Sequence, residues 1–253
     1  MKRFLPAFVS FVVLTLSLEI LIRGGWVSET LLPSPSTIVA TLQELRTDFA
    51  VAFKETLINV LAGLGLSVLV GGLISFVFSL SETLKRAILP FAVFFQTVPI
   101  IAIAPLLVIY FGFGAPTVIA SSFIVSLFPI IANTLMGLES VSESQKDLFR
   151  IYRATRLQTL WKLKLPHAYS YIYSGLKIST GLSIIGAIAG EFVAGGGLGA
   201  LIDSARTQQR VDIVFGALLL LSLMGLLLMG SWALLHKLIL SRRPLASATQ
   251  GDL

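Results

Sequence analysis

Six cations crowd one short stretch of an otherwise sparingly charged chain: Lys146, Arg150, Arg153, Arg156, Lys162 and Lys164, all between Glu143 and Leu165. Leu148, Ile151, Tyr152 and Thr155 recur at helical spacing, so one face can bury against a partner. Arg150, Arg153 and Arg156 fall largely around the other side. Leu157, Leu160, Trp161 and Leu165 carry an apolar pattern into a second short helix, expected to end at Pro166. Such a stretch binds; it does not make or break bonds. Periodicity alone leaves two readings, a docking surface for a protein or a basic amphipathic hairpin resting on anionic lipid.

Groups suited to covalent or metal chemistry are scarce. The chain has no cysteine, which removes thiolate nucleophiles, thiolate zinc sites and disulfides. Its two histidines, His167 and His236, are far apart and show no nucleophile–base or metal-ligand spacing. No Gly-x-x-x-x-Gly-Lys-Ser/Thr run exists to cradle phosphates. No catalytic residue, metal site or bound cofactor is expected.

The elements that must position the basic stretch are membrane helices. Of 253 residues, 55% are hydrophobic and only 13% charged, half the charge of an ordinary soluble domain, which runs near 25%. Mean hydropathy is +0.90. A bilayer core takes about 20 apolar residues per helix. Phe4–Ile22 supplies one span, and the absence of a small-x-small cleavage site with Glu19 near its end predicts a retained helix rather than a signal peptide. Thr56–Ser81 supplies the second. Ala87–Leu138 contains no charge at all and suits two, broken at Phe111-Gly-Phe-Gly-Ala-Pro116. The fifth runs from about Ala168 to Gly190, the sixth from about Ile213 to Leu235. The expectation is an all-α integral membrane protein of about six transmembrane helices, residues 1–253 forming one domain.

With both termini cytoplasmic, fourteen of the nineteen Lys/Arg lie inside and five outside. The inside set includes Lys2, Arg3, Lys85, Arg86, Lys177, Lys237, Arg242, Arg243 and the six of the insert. This positive-inside bias places the basic loop, about residues 139–166, in the cytoplasm. The net charge of +6 therefore reads as membrane orientation, and no nucleic-acid partner is expected. Outside, Gly24–Glu55 contains Leu31-Leu-Pro-Ser-Pro-Ser-Thr37, with Ser36 or Thr37 expected to cap a short amphipathic helix over Ile38–Leu45.

Pro99 and Pro105 each remove a backbone donor, and such breaks are tolerated where protein or a water-lined cavity re-satisfies the freed carbonyls. Gln96, Thr97, Pro99 and Asn133 are thus candidates for a translocation pathway. Interhelical hydrogen bonding is the other reading. Glu191 closes an apolar helix, and an ionisable group there is a pathway candidate or an interfacial residue. Phe91, Phe94 and Phe95 could stack on an aromatic cargo, though packing is the commoner role of Phe in a membrane helix.

The order of residues adds what periodicity leaves open. Asp147-Leu-Phe-Arg150, Arg153-Ala-Thr-Arg156, Trp161 and Leu165-Pro166 resemble the cytoplasmic EAA loop of ABC importer permeases. Asp147 stands where Glu is common, Leu148-Phe149 replaces two alanines, and Arg153 occupies the usual glycine position. That glycine eases the turn between two helices, which Arg cannot do without cost. Val98-Pro-Ile-Ile-Ala-Ile-Ala-Pro-Leu-Leu107 with Tyr110-Phe-Gly-Phe-Gly114, Phe128-Pro-Ile-Ile-Ala-Asn-Thr134, and Glu191-Phe-Val-Ala-Gly-Gly-Gly-Leu-Gly199 are similar to successive segments of the nitrate, sulfonate and taurine permease group.

The resemblance implies a type I ABC importer permease fold whose cytoplasmic helix–turn–helix seats in an ATPase cleft. Asp147, Arg150, Ile151, Arg153, Ala154, Thr155, Arg156, Trp161 and Pro166 would form the coupling loop. Implied partners are ABC ATPase subunits, an extracellular or periplasmic solute-binding protein and a second permease chain in a homodimer, all at the cytoplasmic (inner) membrane of a prokaryote. The absence of a span cation other than Lys177 favours an uncharged or aromatic cargo, a pyrimidine or flavin vitamin precursor, over sulfonate, taurine or nitrate. An ion-gradient-driven secondary transporter is the alternative, but it wants membrane-embedded carboxylates, and only Glu19 and Glu191 come near.

Overall fold

The computed structural model describes residues 5–241, and all regular structure there is helical. In chain order the helices are α1 (Leu5–Arg23), α2 (Pro35–Glu44), α3 (Arg46–Leu80), α4 (Glu82–Thr97), α5 (Ile100–Phe111), α6 (Ala115–Glu139), α7 (Glu143–Ile151), α8 (Arg156–Thr159), a π-turn at Leu160–Lys164, α9 (Leu165–Ala194), α10 (Gly197–Thr207) and α11 (Val211–Ser241). Lys2, Arg3, Arg242 and Arg243, which entered the charge count, lie outside the described residues, as does the side chain of Phe95.

Four helical stretches are long and apolar enough to cross a membrane: Arg46–Leu80, Ala115–Glu139, Arg156–Ala194 and Val211–Ile239. Beside them, the expectation of about six crossings takes α1 as the first and the shorter α4 and α5 together as the third. The third crossing is in two pieces because Pro99, with ψ 123, takes an extended conformation and starts α5 as its N-cap. Gly112 and Gly114, at φ 80 and 85, make the expected turn into α6. The second crossing differs from expectation: α3 begins at Arg46 instead of Thr56, so Lys54 and Glu55 are helical and not part of a connector.

The cap of α2 also shifts. Ser34, not Ser36 or Thr37, accepts the Thr37 amide, because Pro35 with its fixed φ fits the first helical position and pushes the cap back. This short helix packs on α11, where Thr41 donates to Asp212 at 2.9 Å.

Helices α3, α6 and α9 form the interior. Small residues let them approach: a Cβ on Gly186 would stand 2.6 Å from the Ser121 carbonyl, and one on Gly190 2.9 Å from the Val118 Cα. In lipid, where no hydrophobic force separates helix from solvent, such close contact drives association. Serine hydroxyls stitch the same seam. Ser67 donates to the Phe123 carbonyl at 2.8 Å, and Ser179 to the Ser126 carbonyl at 2.8 Å. A second seam joins α9 to α11, where His236 Nδ1 lies 3.0 Å from the Tyr169 hydroxyl and its ring stacks on Tyr173 at 4.1 Å. His236 therefore does have a partner, one that sequence spacing did not disclose.

Candidate functional site: the basic elbow and the broken third crossing

Helix α7 starts at Ser142, whose hydroxyl accepts the Gln145 amide. Glu143 in its first turn and Arg150 in its last complement the helix dipole. Lys146 beside Glu143, at 2.8 Å, holds that carboxyl below its ordinary range.

The elbow that follows is made by Arg153. Its φ of 50 is left-handed, one of two such non-glycine residues among those described. The Ala154 amide donates to the Phe149 carbonyl at 3.0 Å and the Arg153 amide to the Arg150 carbonyl at 2.9 Å. This double closure is the Schellman C-cap, whose left-handed residue is usually glycine. An L side chain there costs about 1–2 kcal/mol. The resemblance thus placed Arg153 at the turn, and the turn keeps glycine geometry without glycine.

Thr155 then opens the second helix. Its hydroxyl accepts the Gln158 amide, and Gln158 Oε1 accepts the Thr155 amide at 2.8 Å. A helix stop and a reciprocal capping box so meet across two residues. Thr155 is the cap of α8 and not part of the α7 face, a correction to the helical spacing, which ran through the elbow as if α7 continued.

Pro166 does not end a helix either. It sits in the first turn of α9. The missing amide and the ring's clash with the preceding turn would ordinarily break the run. Here the chain widens instead, and Leu165 donates five residues back to the Leu160 carbonyl. The π-turn carries the helix past the proline. The fifth crossing therefore starts with the loop: Arg156–Ala194 is one 39-residue helical run.

Leu148, Ile151, Tyr152, Leu157 and Trp161 are exposed, Ile151 and Tyr152 by more than three-quarters. On the other side of α7, Lys146 and Arg150 line a cleft of about 850 Å³ together with Lys85, Glu139, Ala154, Arg156 and Lys164. The Glu139 carboxylate lies 2.6 Å from Lys85, and Arg86 lies 2.9 Å from Glu82 at the cleft edge.

At the break in the third crossing, Gln96, Thr97 and Pro99 line a crevice of about 240 Å³ with Ile124, Val125 and Leu182. Thr97 donates to the Phe94 carbonyl at 2.7 Å. Asn133 does not line this crevice; it donates to the Pro129 carbonyl one turn back at 2.9 Å, beside Gly175. Phe91 and Phe94 are each 64% exposed.

Glu191 lies elsewhere again, fully buried where α9 gives way to α10. Gly195, Gly196 and Gly197 all have positive φ. The first amides of α10 converge on side chains: Gly197 donates to Glu55 at 3.0 Å, Leu198 to Thr56 at 2.8 Å and Gly199 to Glu191 at 2.8 Å. A Cβ on Gly197 would collide with the Glu191 carboxylate. Glu55 and Thr56 were missed because nothing in their local sequence connects them to a turn 142 residues away.

Four helices long and apolar enough to cross a membrane, with shorter helices beside them and an exposed amphipathic elbow, mark an integral membrane chain. Residues 63–241 match the family described as binding-protein-dependent transport system inner membrane component, and the chain belongs to that family. It is 36% identical over 199 residues to the formylaminopyrimidine transport permease protein ThiX of Halalkalibacterium halodurans, spanning 78% of this chain and 80% of that one. To the putative aliphatic sulfonates transport permease protein SsuC of Bacillus subtilis it is 28% identical over 226 residues, 87% and 80% of the two chains. In fold it resembles a chain of the inward-facing MetNI methionine ABC transporter, with a TM-score of 0.68 at 16% identity over 79% of this chain and 98% of that one. The protein is thus the multi-pass permease subunit of an ABC importer, of the nitrate and sulfonate type, working with an ATPase and a solute-binding protein in the inner membrane; it is not an enzyme. The ion-gradient alternative falls with this assignment.

Proposed function

We propose that residues 139–166 are the cytoplasmic coupling element through which two ATPase subunits drive a homodimer of this chain between inward- and outward-open states. The observation that carries this reading is the continuity of the elbow with the fifth crossing. Force applied to α7 meets a short, doubly capped turn and then an uninterrupted helix from Arg156 to Ala194, so it is passed on as rigid-body motion. The exposed face of Leu148, Ile151 and Tyr152 is the surface a cleft in the ATPase would cover. Both termini lie on the cytoplasmic side with it, residues 1–253 act as one permease domain, and ATP with Mg is held by the ATPase alone.

The crevice at Gln96, Thr97 and Pro99 is the part of the pathway closest to cargo, with Asn133 shaping the neighbouring helix and Glu191 fixing the gate at the far end. No charged residue occurs from Ala87 to Leu138, and Phe91 and Phe94 stand exposed just before the crevice. That chemistry suits an uncharged, ring-containing solute, and the greater identity to ThiX than to SsuC supports a pyrimidine-type vitamin precursor over a sulfonate.

Reconstitution in proteoliposomes with the ATPase and binding protein tests the reading. Uptake should require ATP, favour a formylaminopyrimidine over taurine, and be abolished by Asp147→Arg or Ala154→Trp in an assembly that still purifies intact. Preserved uptake in both variants would reject the coupling role; preference for taurine would reject the cargo class alone.

A further inference from the structure

The 850 Å³ cleft behind the elbow carries five cations, Lys85, Lys146, Arg150, Arg156 and Lys164, against two carboxylates, Glu82 and Glu139. Three of the cations are already paired: Lys85 with Glu139, Lys146 with Glu143 and Arg150 with Asp147. Arg156 and Lys164 have no ion-pair or hydrogen-bond partner among the described residues, and Lys164 is half-buried. Lys164 faces the Lys146 cation and the Glu139 carboxylate, but that carboxylate is already paired with Lys85, so the half-buried ammonium is left under-compensated and open to an added anion.

A second cavity, about 390 Å³ and lined almost wholly by carbon, lies between α3 and α9 over the surface of α6. Val68, Gly72 and Phe76 form one wall and Ile172 and Leu176 the other; Leu160 lines both this groove and the basic cleft. The groove is open beside Gly72, where an added Cβ would meet nothing within 4 Å. From Val68 to Phe76 it follows the helix for about 12 Å.

We propose that the cleft and groove together hold one anionic phospholipid, its phosphate between Arg156 and Lys164 and one acyl chain along Gly72 and Phe76. Charge and shape argue for the same occupant. A net positive cleft at the loop end of the crossings matches an anionic headgroup, and basic pockets between membrane helices are where such headgroups settle. A free phosphate would use the cleft and leave the groove empty. An acidic segment of the ATPase would bury the cleft but has no use for a dry slot between α3 and α9. The cleft lies on the opposite face of α7 from Ile151 and Tyr152, so lipid and ATPase would approach the elbow from different sides, and the proposal stands whether or not the cargo assignment holds. An occupant there wedges the elbow against the end of α6, at Glu139.

The test is native mass spectrometry of the full permease chain in detergent, titrated with phosphatidylglycerol or phosphatidylcholine of the same acyl chains. One phosphatidylglycerol should be retained preferentially. Arg156→Gln with Lys164→Gln should weaken it by about thirtyfold, two charges at about 1 kcal/mol each, and leave phosphatidylcholine unchanged. Gly72→Trp should lower phosphatidylglycerol retention with all charges in place, and circular dichroism should show the fold intact in each variant. Glycerol phosphate should not displace the lipid. Equal retention of both lipids, or retention unaffected by the double substitution, overturns the proposal. Displacement by glycerol phosphate alone, or protection of Lys164 from acylation by added ATPase but not by phosphatidylglycerol, overturns it too, reassigning the cleft to a free anion or to a protein.

Discussion

The Ala154 amide reaches back to the Phe149 carbonyl at 3.0 Å, closing α7 over a left-handed Arg153. That single bond turns the chain from one short helix into another with only Ala154 between the left-handed residue and the next cap. The elbow is therefore stiff although it is exposed, and stiffness is what a transmitting element needs.

Arg153→Gly should relieve the left-handed strain and stabilise the elbow by about 1 kcal/mol, read as slower hydrogen exchange of the α7 amides. Arg153→Val, a β-branched residue that resists positive φ, should do the reverse. If Val were tolerated as well as Gly, the closure would not be the source of the elbow's order.

Thr155→Ala removes the hydroxyl that accepts the Gln158 amide and should cost about 1 kcal/mol of local stability. Thr155→Ser should restore it. Uptake relative to ATP hydrolysis is the sharper readout, because a frayed α8 lets α7 move without α9.

Much of this region was legible in advance, and its errors have physical causes. The apolar face of Leu148, Ile151 and Tyr152 followed from spacing, because side chains three and four apart share a helix surface. Pro166 departs from the expectation because the rule that proline ends a helix assumes α geometry. A π-turn at Leu160–Lys164 escapes it. Glu191 was recognisable as unusual, an ionisable group near hydrocarbon, but not its partner, since the Gly199 amide comes to it only through the turn that folding makes. The crevice at Gln96 and Thr97 followed from Pro99. Asn133 shared only the proline signal, and its amide is taken by its own helix.

The α6–α9 seam should be intolerant of size. Gly186→Leu would drive a side chain into the Ser121 backbone and should cost about 3 kcal/mol or more, seen as loss of folded protein in a thermal unfolding assay in detergent. Gly65→Ala, where a Cβ meets nothing within 4 Å, should gain about 1 kcal/mol from helix propensity.

Acid should loosen the start of α7 before the membrane core. The Glu143 carboxyl is held below its usual value by Lys146, so its contribution is present above the unfolded pKa, about 4.3, and is lost as pH falls through the lower folded value. Limited proteolysis across pH 7 to about 3 should show cleavage near Glu143 rising only at the acid end, and Glu143→Gln should remove that dependence.

The absence of native cysteine makes the central claim open to a single clean measurement. Ile151→Cys in the assembled importer, treated with a short bifunctional thiol reagent, should join this chain to an ATPase subunit bearing one cysteine in its cleft, and membrane-impermeant reagents should reach Ile151→Cys only from the cytoplasmic side. Labelling from the outer side, or no adduct with the ATPase in an importer that still transports, would contradict the account.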